Sequence, residues 1–486
     1  MSVSFLRLSI YNTVPGLIRI LSGIITIPAL IKITGPKEYG IWVIASSLVN
    51  VISLAEGGLS TAATVFVAED AGSGGNTKSL SQTLAAIFVS ILVLSTVCAT
   101  GIIISSDFLS NTLFGNLPQE DRLNLGCALK FSSIVVWTKL VQQIIIGVSY
   151  GFQRYGVINL LISLQAIVIN VGLIVVAFLG GRAIALMEYQ AMVSLLLFSI
   201  HAFVHLNLTK SLHERFNWSY DRFSSIAKYC ISVWIANLGA TLFTQVDKII
   251  VGAALGATSL AGYSAITSIT SQINSLSAMP IQPLLPKISS LTSDTKTTQK
   301  IATRYFKQAT EINCLISFGM GGLLVIYSSQ ILDFIIGKNL SIDLVVPFRL
   351  CILIYSIYSI NASGYYYSFA IHDTNRAMKI IALSGFISLL SIYIGCNYFG
   401  VFGAIFGNIG YIFTLILNVM AIRKLYISGK TYFSWIFYPT FCFLIVFGMK
   451  FLLANTIRSE IIMLCIIFSI LPWFLWARFP KAKLID

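Results

Sequence analysis

Charge is what this sequence has least of. Charged residues make up 10% of 486, and only 18 are acidic. A soluble domain carries about 25% charged residues, so this chain cannot cover a water-facing surface, and a soluble enzyme is excluded. Long polar segments are also missing. The longest, near 105–128, 207–228 and 287–304, are too short to fold as domains. A membrane-bound glycan polymerase or glycosyltransferase needs a sizeable acidic loop. Here Asp107, Glu120 and Asp121 are all that the external stretch offers, and they read as a solvated loop. The eight cysteines are scattered with no CxxC pair, which leaves neither a zinc site nor a disulfide framework and makes them small apolar fillers. Gly429–Lys430–Thr431 lacks the upstream glycine of a phosphate-binding loop. No cofactor and no metal are expected, and the chain is not expected to be an enzyme.

What the chain has in abundance is apolar sequence, 56% of residues with a mean hydropathy of +0.85. Runs of about 20 apolar residues, each able to cross a bilayer as a helix, fall at 12–33, 39–66, 79–104, 129–150, 157–179, 184–206, 229–255, 260–285, 305–327, 345–370, 380–396, 402–422, 433–453 and 460–477. The expected fold class is an all-α polytopic membrane protein of about fourteen transmembrane helices. The first run holds Pro15, Arg19 and Pro28 and no small-residue cleavage site, so it reads as a retained helix.

The net charge of +14 is a topology signal. With a cytoplasmic N-terminus and alternating spans, the external loops hold Lys32, Lys37, Arg122, Lys130, Arg182, Lys338 and Arg458, and most of the other basic residues fall in cytoplasmic segments. That asymmetry is the positive-inside pattern; it places both termini in the cytoplasm and removes the reason to invoke nucleic acid.

A weak repeat runs through the chain. A shift of about 222 residues superposes Gly40 on Gly262, Ile44 on Ile266, Ser53 on Ser275 and Arg154 on Arg376. Six spans per unit is an even number, so both units enter the membrane in the same sense, as in transporters built from parallel repeats. The expected organisation is an N-terminal six-helix bundle over 1–210, a C-terminal six-helix bundle over 211–425 related by a pseudo-two-fold along the membrane normal, and two extra helices over 426–486.

Polar residues are arranged in stripes. In span seven Asn237, Thr241, Thr244 and Lys248 share one helix face, with Asp247 flanking it. The equivalent positions of span one include Arg19, Ser22 and Thr26. Span eight carries Tyr263, Thr267, Thr270, Asn274 and Ser277; span two carries Ser46, Asn50, Ser53 and Glu56. Interhelical hydrogen bonding explains single Ser and Thr residues, but buried cations need a counter-ion or water. Together with Lys139 in span four and Arg349 in span ten, these stripes suggest a wet, net-positive central cavity that attracts an anion such as a pyrophosphate. Lys450 lies outside the two bundles and reads as a snorkelling side chain. Tyr355, Tyr358 and Asn361 lie on one side of span ten and, with Tyr263, are either sugar-stacking candidates or ordinary belt tyrosines. Asp247, Glu188 and Glu56 are the candidate proton or sodium sites. Pro280, Pro283 and Pro286, with Pro15 and Pro28, mark places where the bundles could bend. Gly400, Gly403, Gly407 and Gly410 read as close helix packing.

The segment IPALIKITGPKEYGIWVIASSLVNVISLAEGGLSTA and, later, QVDKIIVGAALGATSLAGYSAITSI resemble the Wzx-type O-antigen flippases. These form part of the polysaccharide-transporter branch of the multidrug/oligosaccharidyl-lipid/polysaccharide (MOP) exporter superfamily. The resemblance covers nearly the whole chain. It implies a MATE-like fold in the bacterial inner membrane. It also implies translocation of undecaprenyl-pyrophosphate-linked O-antigen or other polysaccharide repeat units to the outer leaflet, by alternating access through a cationic lumen. Membrane lipid, a driving H+ or Na+ gradient, a polysaccharide polymerase and a chain-length regulator are the partners it implies, within lipopolysaccharide biosynthesis or polysaccharide export. The alternatives are an organic-cation multidrug exporter of the same superfamily, a lipid II flippase and, more remotely, an integral-membrane glycan polymerase.

Overall fold

The computed structural model describes residues 22–23, 25–72, 77–152, 154–209, 217–281, 288, 296–371, 373–452 and 457–472. Every apolar run within them is helical, and among them there is no strand. In chain order the helices are α1 (Ile25–Thr34), α2 (Pro36–Ile52), α3 (Leu59–Gly72), α4 (Thr77–Thr112), α5 (Gln119–Gly151), α6 (Tyr155–Phe178), α7 (Ala183–Thr209), α8 (Tyr220–Ala278), α9 (Lys296–Ile326), α10 (Ser328–Ile336), α11 (Lys338–Ser359), α12 (Asn361–Ala370), α13 (Thr374–Gly407), α14 (Ile416–Lys424), α15 (Gly429–Leu452) and α16 (Ile457–Phe468). Ten described segments are long and apolar enough to cross a membrane. The protein is a multi-pass membrane protein.

Two of these helices each join two successive apolar runs. At 59 residues, α8 would run ~90 Å if straight, about three times the hydrocarbon thickness. It is broken at Gly256 (φ 82°, ψ 174°), between the seventh and eighth apolar runs. In the same way α13 is broken at Gly400 (φ 57°, ψ −139°), between the eleventh and twelfth. A left-handed φ costs a side-chain-bearing residue strain that glycine escapes. Left-handed glycines also turn the chain elsewhere, Gly35 (φ 84°) between spans one and two and Gly180 (φ 87°) between spans five and six. Gly400 is therefore a turn residue and not a packing residue. The other three pack as expected, Gly403 on Gly395, Gly407 on Ile392 and Gly410 on Ser388.

The second span departs from the continuous helix expected over 39–66. After Ile52 the chain tightens into a 3₁₀ turn, Ser53–Glu56. It then passes through two left-handed residues, Gly57 (φ 63°) and Gly58 (φ 79°), before α3 begins. Adjacent glycines make the break possible, and non-helical backbone inside a span is tolerated where protein or water satisfies its polar groups. Of the prolines proposed as hinges, Pro280 lies in a 3₁₀ turn, Met279–Ile281, that ends α8. Pro28 is buried within α1. Pro15, Pro283 and Pro286 lie outside the described residues.

The helices are apolar outside, and inside they mix large apolar side chains with small and polar ones. On α4, Leu92, Val93, Val97, Ile104 and Phe108 are exposed, as lipid-facing side chains must be, while Thr83, Ser95, Ser106 and Ser110 are buried. Two compact units result, Met1–Ser264 and Ala265–Asp486. In the first, α5 is the central helix, packed by α2, α3, α4 and α7. Its approach to α3 depends on glycine: a Cβ at Gly147 would overlap the Ser60 carbonyl, and Thr64 Oγ1 donates to the Gly147 carbonyl at 3.1 Å. In the second unit α9 is central, packed by α11 and α15. The compact units follow packing whereas the repeat expected over 1–210 and 211–425 follows chain order. Residues 245–264 group with the first unit because Gly40 of α2 lies directly on the Ala257 backbone and Asn116 Nδ2 donates to the Ala253 carbonyl at 3.1 Å.

That contact gives a first prediction. A Cβ at position 40 would overlap the Ala257 carbonyl. Gly40→Ala should therefore destabilise the protein by about 1–3 kcal/mol, the cost of overpacking an interior contact, and lower the unfolding temperature of the detergent-solubilised protein. An unchanged melting curve would show that the two segments separate freely.

Candidate functional site

Lys139 lies near the middle of α5, the most enclosed helix of the first unit, so its ammonium has no short path to either surface. Its Nζ donates to Asn50 Oδ1 of α2 at 2.7 Å, and Asn50 Nδ2 donates in turn to Gln245 Oε1 of α8 at 3.3 Å. Glu56, in the broken stretch of span two, is close enough for its carboxyl and the Lys139 ammonium to feel each other's charge. One oxygen of that carboxyl, Oε2, is buried without a hydrogen-bond partner. Three spans thus bring a cation, an acid and two amides together at a helix interruption. An ammonium has three donors, and Asn50 takes one.

The charged pair in span seven is divided between two surroundings. Asp247 is buried (3% exposed); its Oδ2 accepts from the Tyr263 hydroxyl at 2.9 Å and its Oδ1 from the Lys248 backbone N–H at 2.8 Å. Lys248 is half-buried and shares the helix face of Gln245, three residues earlier, the face that meets Asn50. Asp247 is a structural acceptor for Tyr263, and Lys248 extends the polar face. Tyr263 is fully buried and its hydroxyl is engaged, so it offers no open ring to a sugar; this corrects the stacking role expected for it.

Other expected site residues are placed elsewhere. Arg349 is buried in the second unit. Its Nε donates to Ser328 Oγ at 2.9 Å, its Nη1 to the Lys450 carbonyl at 3.2 Å, and the guanidinium lies 5.3 Å from the Phe451 ring centre. It anchors α11 to α15, so its role as a cavity cation is corrected to a packing role. Lys450 does not snorkel: it is buried, with Nζ 3.5 Å from Glu460. Glu188 is exposed on α7, apart from the other acids. Ser22 Oγ accepts from Asn170 at 3.2 Å, and Thr26 bonds within its own helix. Thr267 is buried and Asn274 half-buried. Asn361 Nδ2 donates to Thr414 Oγ1 at 2.8 Å. Tyr355 and Tyr358 meet edge to face at 5.9 Å and close on Tyr411, the Tyr358–Tyr411 distance being 5.5 Å. Arg19 and the side chains of Asn237, Thr241 and Thr244 lie outside the described residues.

Two groups are absent from the sequence reading. Asp70, at the end of α3, accepts from Arg222 Nη2 (2.6 Å), Thr83 Oγ1 (2.6 Å) and Ser79 Oγ (2.8 Å). The Arg222 guanidinium also stacks on Phe66 at 4.9 Å. Nothing in the sequence ties positions so far apart. The second group is a buried polar line along α5, α6 and α7 that includes His201 and His205. Its signal, two histidines four residues apart within an apolar run, was legible.

Comparison with known proteins follows the same lines. A family model described as polysaccharide biosynthesis protein matches residues 29–341. Among solved structures, the chain is similar to a lipid II flippase, MurJ, in an inward closed conformation, with a TM-score of 0.74 and 14% identity over 97% of this chain and 98% of that one. It is also similar to an inward-facing multidrug resistance MATE family transporter of the MOP superfamily, with a TM-score of 0.70 and 13% identity over 85% and 98%. A MOP superfamily transporter from Pyrococcus furiosus, for which reverse polarity of the binding pocket suggests a different function, matches with a TM-score of 0.55 and 14% identity over 87% and 96%. No curated protein sequence matches the chain. The all-helical fold is that of the MOP transporters.

Proposed function

Because the chain belongs to the polysaccharide biosynthesis protein family, we propose that it is a flippase for a lipid-linked oligosaccharide. The cargo is an undecaprenyl-pyrophosphate-linked polysaccharide repeat unit, carried from the cytoplasmic to the outer leaflet of a bacterial inner membrane, with both termini of the protein in the cytoplasm. The observation that carries the reading is Lys139, a cation held by Asn50 inside a membrane bundle. Burying an ammonium in a span is costly, and such residues mark substrate or ion pathways. A pyrophosphate supplies the charge that offsets the cost, and its oxygens are strong acceptors for a charge-assisted hydrogen bond. Glu56 acts as the resident counter-ion that holds Lys139 in place while no substrate is bound and is displaced when the headgroup arrives. The break at Ser53–Gly58 gives span two a point about which it bends as the headgroup passes.

Within one fold, pocket polarity separates substrates. An exporter of organic cations calls for an acidic or aromatic site, and the Lys139 cluster favours an anion instead. A lipid II flippase shares the anionic pyrophosphate, so genetics separates the two. Deleting the gene should remove a surface polysaccharide and leave growth intact, and the wild-type chain should restore the polysaccharide. Loss of viability would favour the lipid II reading, and drug hypersensitivity with an intact surface coat would favour the exporter.

A further inference from the structure

We propose that His201 is a proton-binding site whose occupancy is communicated to spans four and five through Gln142 and Gln165. The inference rests on the transport reading for its purpose, though not for its geometry. Two of the chain's four histidines lie in α7, one turn apart. His201 is fully buried and His205 nearly so. His201 Nδ1 is 2.9 Å from the Leu197 carbonyl and 3.0 Å from Gln142 Nε2 of α5. Gln142 and Gln165 of α6 form a reciprocal amide pair, Gln142 Nε2 to Gln165 Oε1 at 2.7 Å and Gln165 Nε2 to Gln142 Oε1 at 3.1 Å.

Gln142 Nε2 lies within reach of both ring nitrogens, 3.0 Å from Nδ1 and 3.4 Å from Nε2. While the ring is neutral, whichever nitrogen lacks a proton accepts from Gln142, both amide protons of Gln142 are used, and the glutamine pair is complete. With both nitrogens protonated, Nδ1–H has the Leu197 carbonyl as acceptor, but neither nitrogen can accept and the ring opposes the N–H of Gln142. Gln142 must then turn its amide, and the reciprocal pair breaks unless Gln165 turns as well. A proton on α7 thereby changes the bonding between α5 and α6. His205 is held differently. Ser149 Oγ donates to the Ile145 carbonyl at 2.7 Å, so its contact with His205 Nδ1 at 3.2 Å requires that nitrogen to be the donor, which fixes the tautomer.

The surroundings suit a proton that comes and goes. Among the described residues no group of three His, Cys, Asp or Glu could hold a metal. Helix α6 carries no charged residue, and α4 presents the Phe88 ring to His205. On α7 itself Glu188 is exposed, and Glu38 of α2 is engaged at the start of that helix with the Ala183 N–H at 3.1 Å. Of the charged residues on α5 the one nearest Gln142 along the helix is Lys139, one turn away and bound to Asn50. No carboxylate traps an imidazolium here, and an anion on Lys139 would ease its formation. Substrate headgroup and proton therefore favour one another, a coupling that is reciprocal by necessity.

The test is a titration of the full-length, histidine-¹⁵N-labelled protein in detergent, with the His201 signals assigned by loss in His201→Gln. One ring nitrogen should be an unprotonated acceptor at high pH and take up a proton on acidification within about pH 5–8, the range in which histidine switches. Gln142→Leu should move the midpoint, and so should added inorganic pyrophosphate, upward. A His201 signal that keeps one tautomer and one protonation state throughout overturns the proposal, whatever the cargo. In proteoliposomes carrying an undecaprenyl-pyrophosphate-linked oligosaccharide, a pH difference of one unit should shift the final distribution of probe by about tenfold, the equivalent of one coupled proton. That shift should vanish in His201→Gln. A variant that responds to the gradient as the wild type does overturns the coupling. Wild-type protein that moves no probe in either arm instead defeats the flippase reading, while the titration still decides the proton site.

Discussion

Lys139→Ala should reduce flipping of an undecaprenyl-pyrophosphate-linked oligosaccharide by about 10- to 150-fold, corresponding to the roughly 1.5–3 kcal/mol of a hydrogen bond to a charged group. The ammonium reaches Asn50 at 2.7 Å, and its remaining donors face the ligand in the proposed reading. Removing Lys139 from one side strands the buried Glu56 carboxyl and lowers stability as well. The decisive variant is therefore Lys139→Ala with Glu56→Gln, in which the stranded charge is gone: transport should stay low while stability recovers. Lys139→Arg should recover part of the activity, since charge is kept while the reach to Asn50 changes. The measurement is protection of a fluorescent lipid-linked oligosaccharide from a membrane-impermeant quencher in proteoliposomes, alongside a thermal melt of each variant. Wild-type rates in Lys139→Ala would remove this residue from the pathway. Transport that recovers together with melting temperature in the double variant would mean that Lys139 is a structural cation held for Glu56.

The second large effect is expected on stability. Arg222→Ala would take from the buried Asp70 the guanidinium that pairs with it and leave the Thr83 and Ser79 hydroxyls in place. It would also strip the guanidinium from the face of Phe66. Breaking a buried pair from one side costs about 3–5 kcal/mol, so the variant should unfold at a markedly lower temperature and accumulate poorly in the membrane. Adding Asp70→Asn to Arg222→Ala should restore much of the loss, because the stranded charge is then gone. Failure of the double variant to recover would show that the network matters through its hydrogen bonds and stacking rather than through the ion pair. The network joins the ends of α3 and α4 to the start of α8, so holding it intact fixes the entry to span seven from which Gln245 reaches Asn50.

Several elements were legible before any coordinates. The apolar runs became helices because an unpaired backbone group in hydrocarbon costs several kcal/mol and a helix pairs its own. Lys139 stood out because charge inside such a run needs a reason. What misled was continuity: 39–66 is apolar enough to read as one helix, yet Gly57 and Gly58 break it. Hydropathy is blind to φ. Spacing could place Asp247 beside Lys248 on the helix but not say that the Tyr263 hydroxyl would take the carboxylate. Nor could it say that the Arg349 guanidinium would be spent on Ser328 and the Lys450 carbonyl.

The sequence by itself determined that this is a multi-pass helical membrane protein, because crossing a bilayer is a local requirement that each run of residues meets or fails on its own. Only the tertiary structure decided which polar groups keep company inside it: Lys139 with Asn50, Gln245 and Glu56, Asp70 with Arg222, His201 with the glutamine pair. Partnership between buried polar groups depends on distances across helices far apart in the chain, and within each helix many rotations satisfy the same hydropathy.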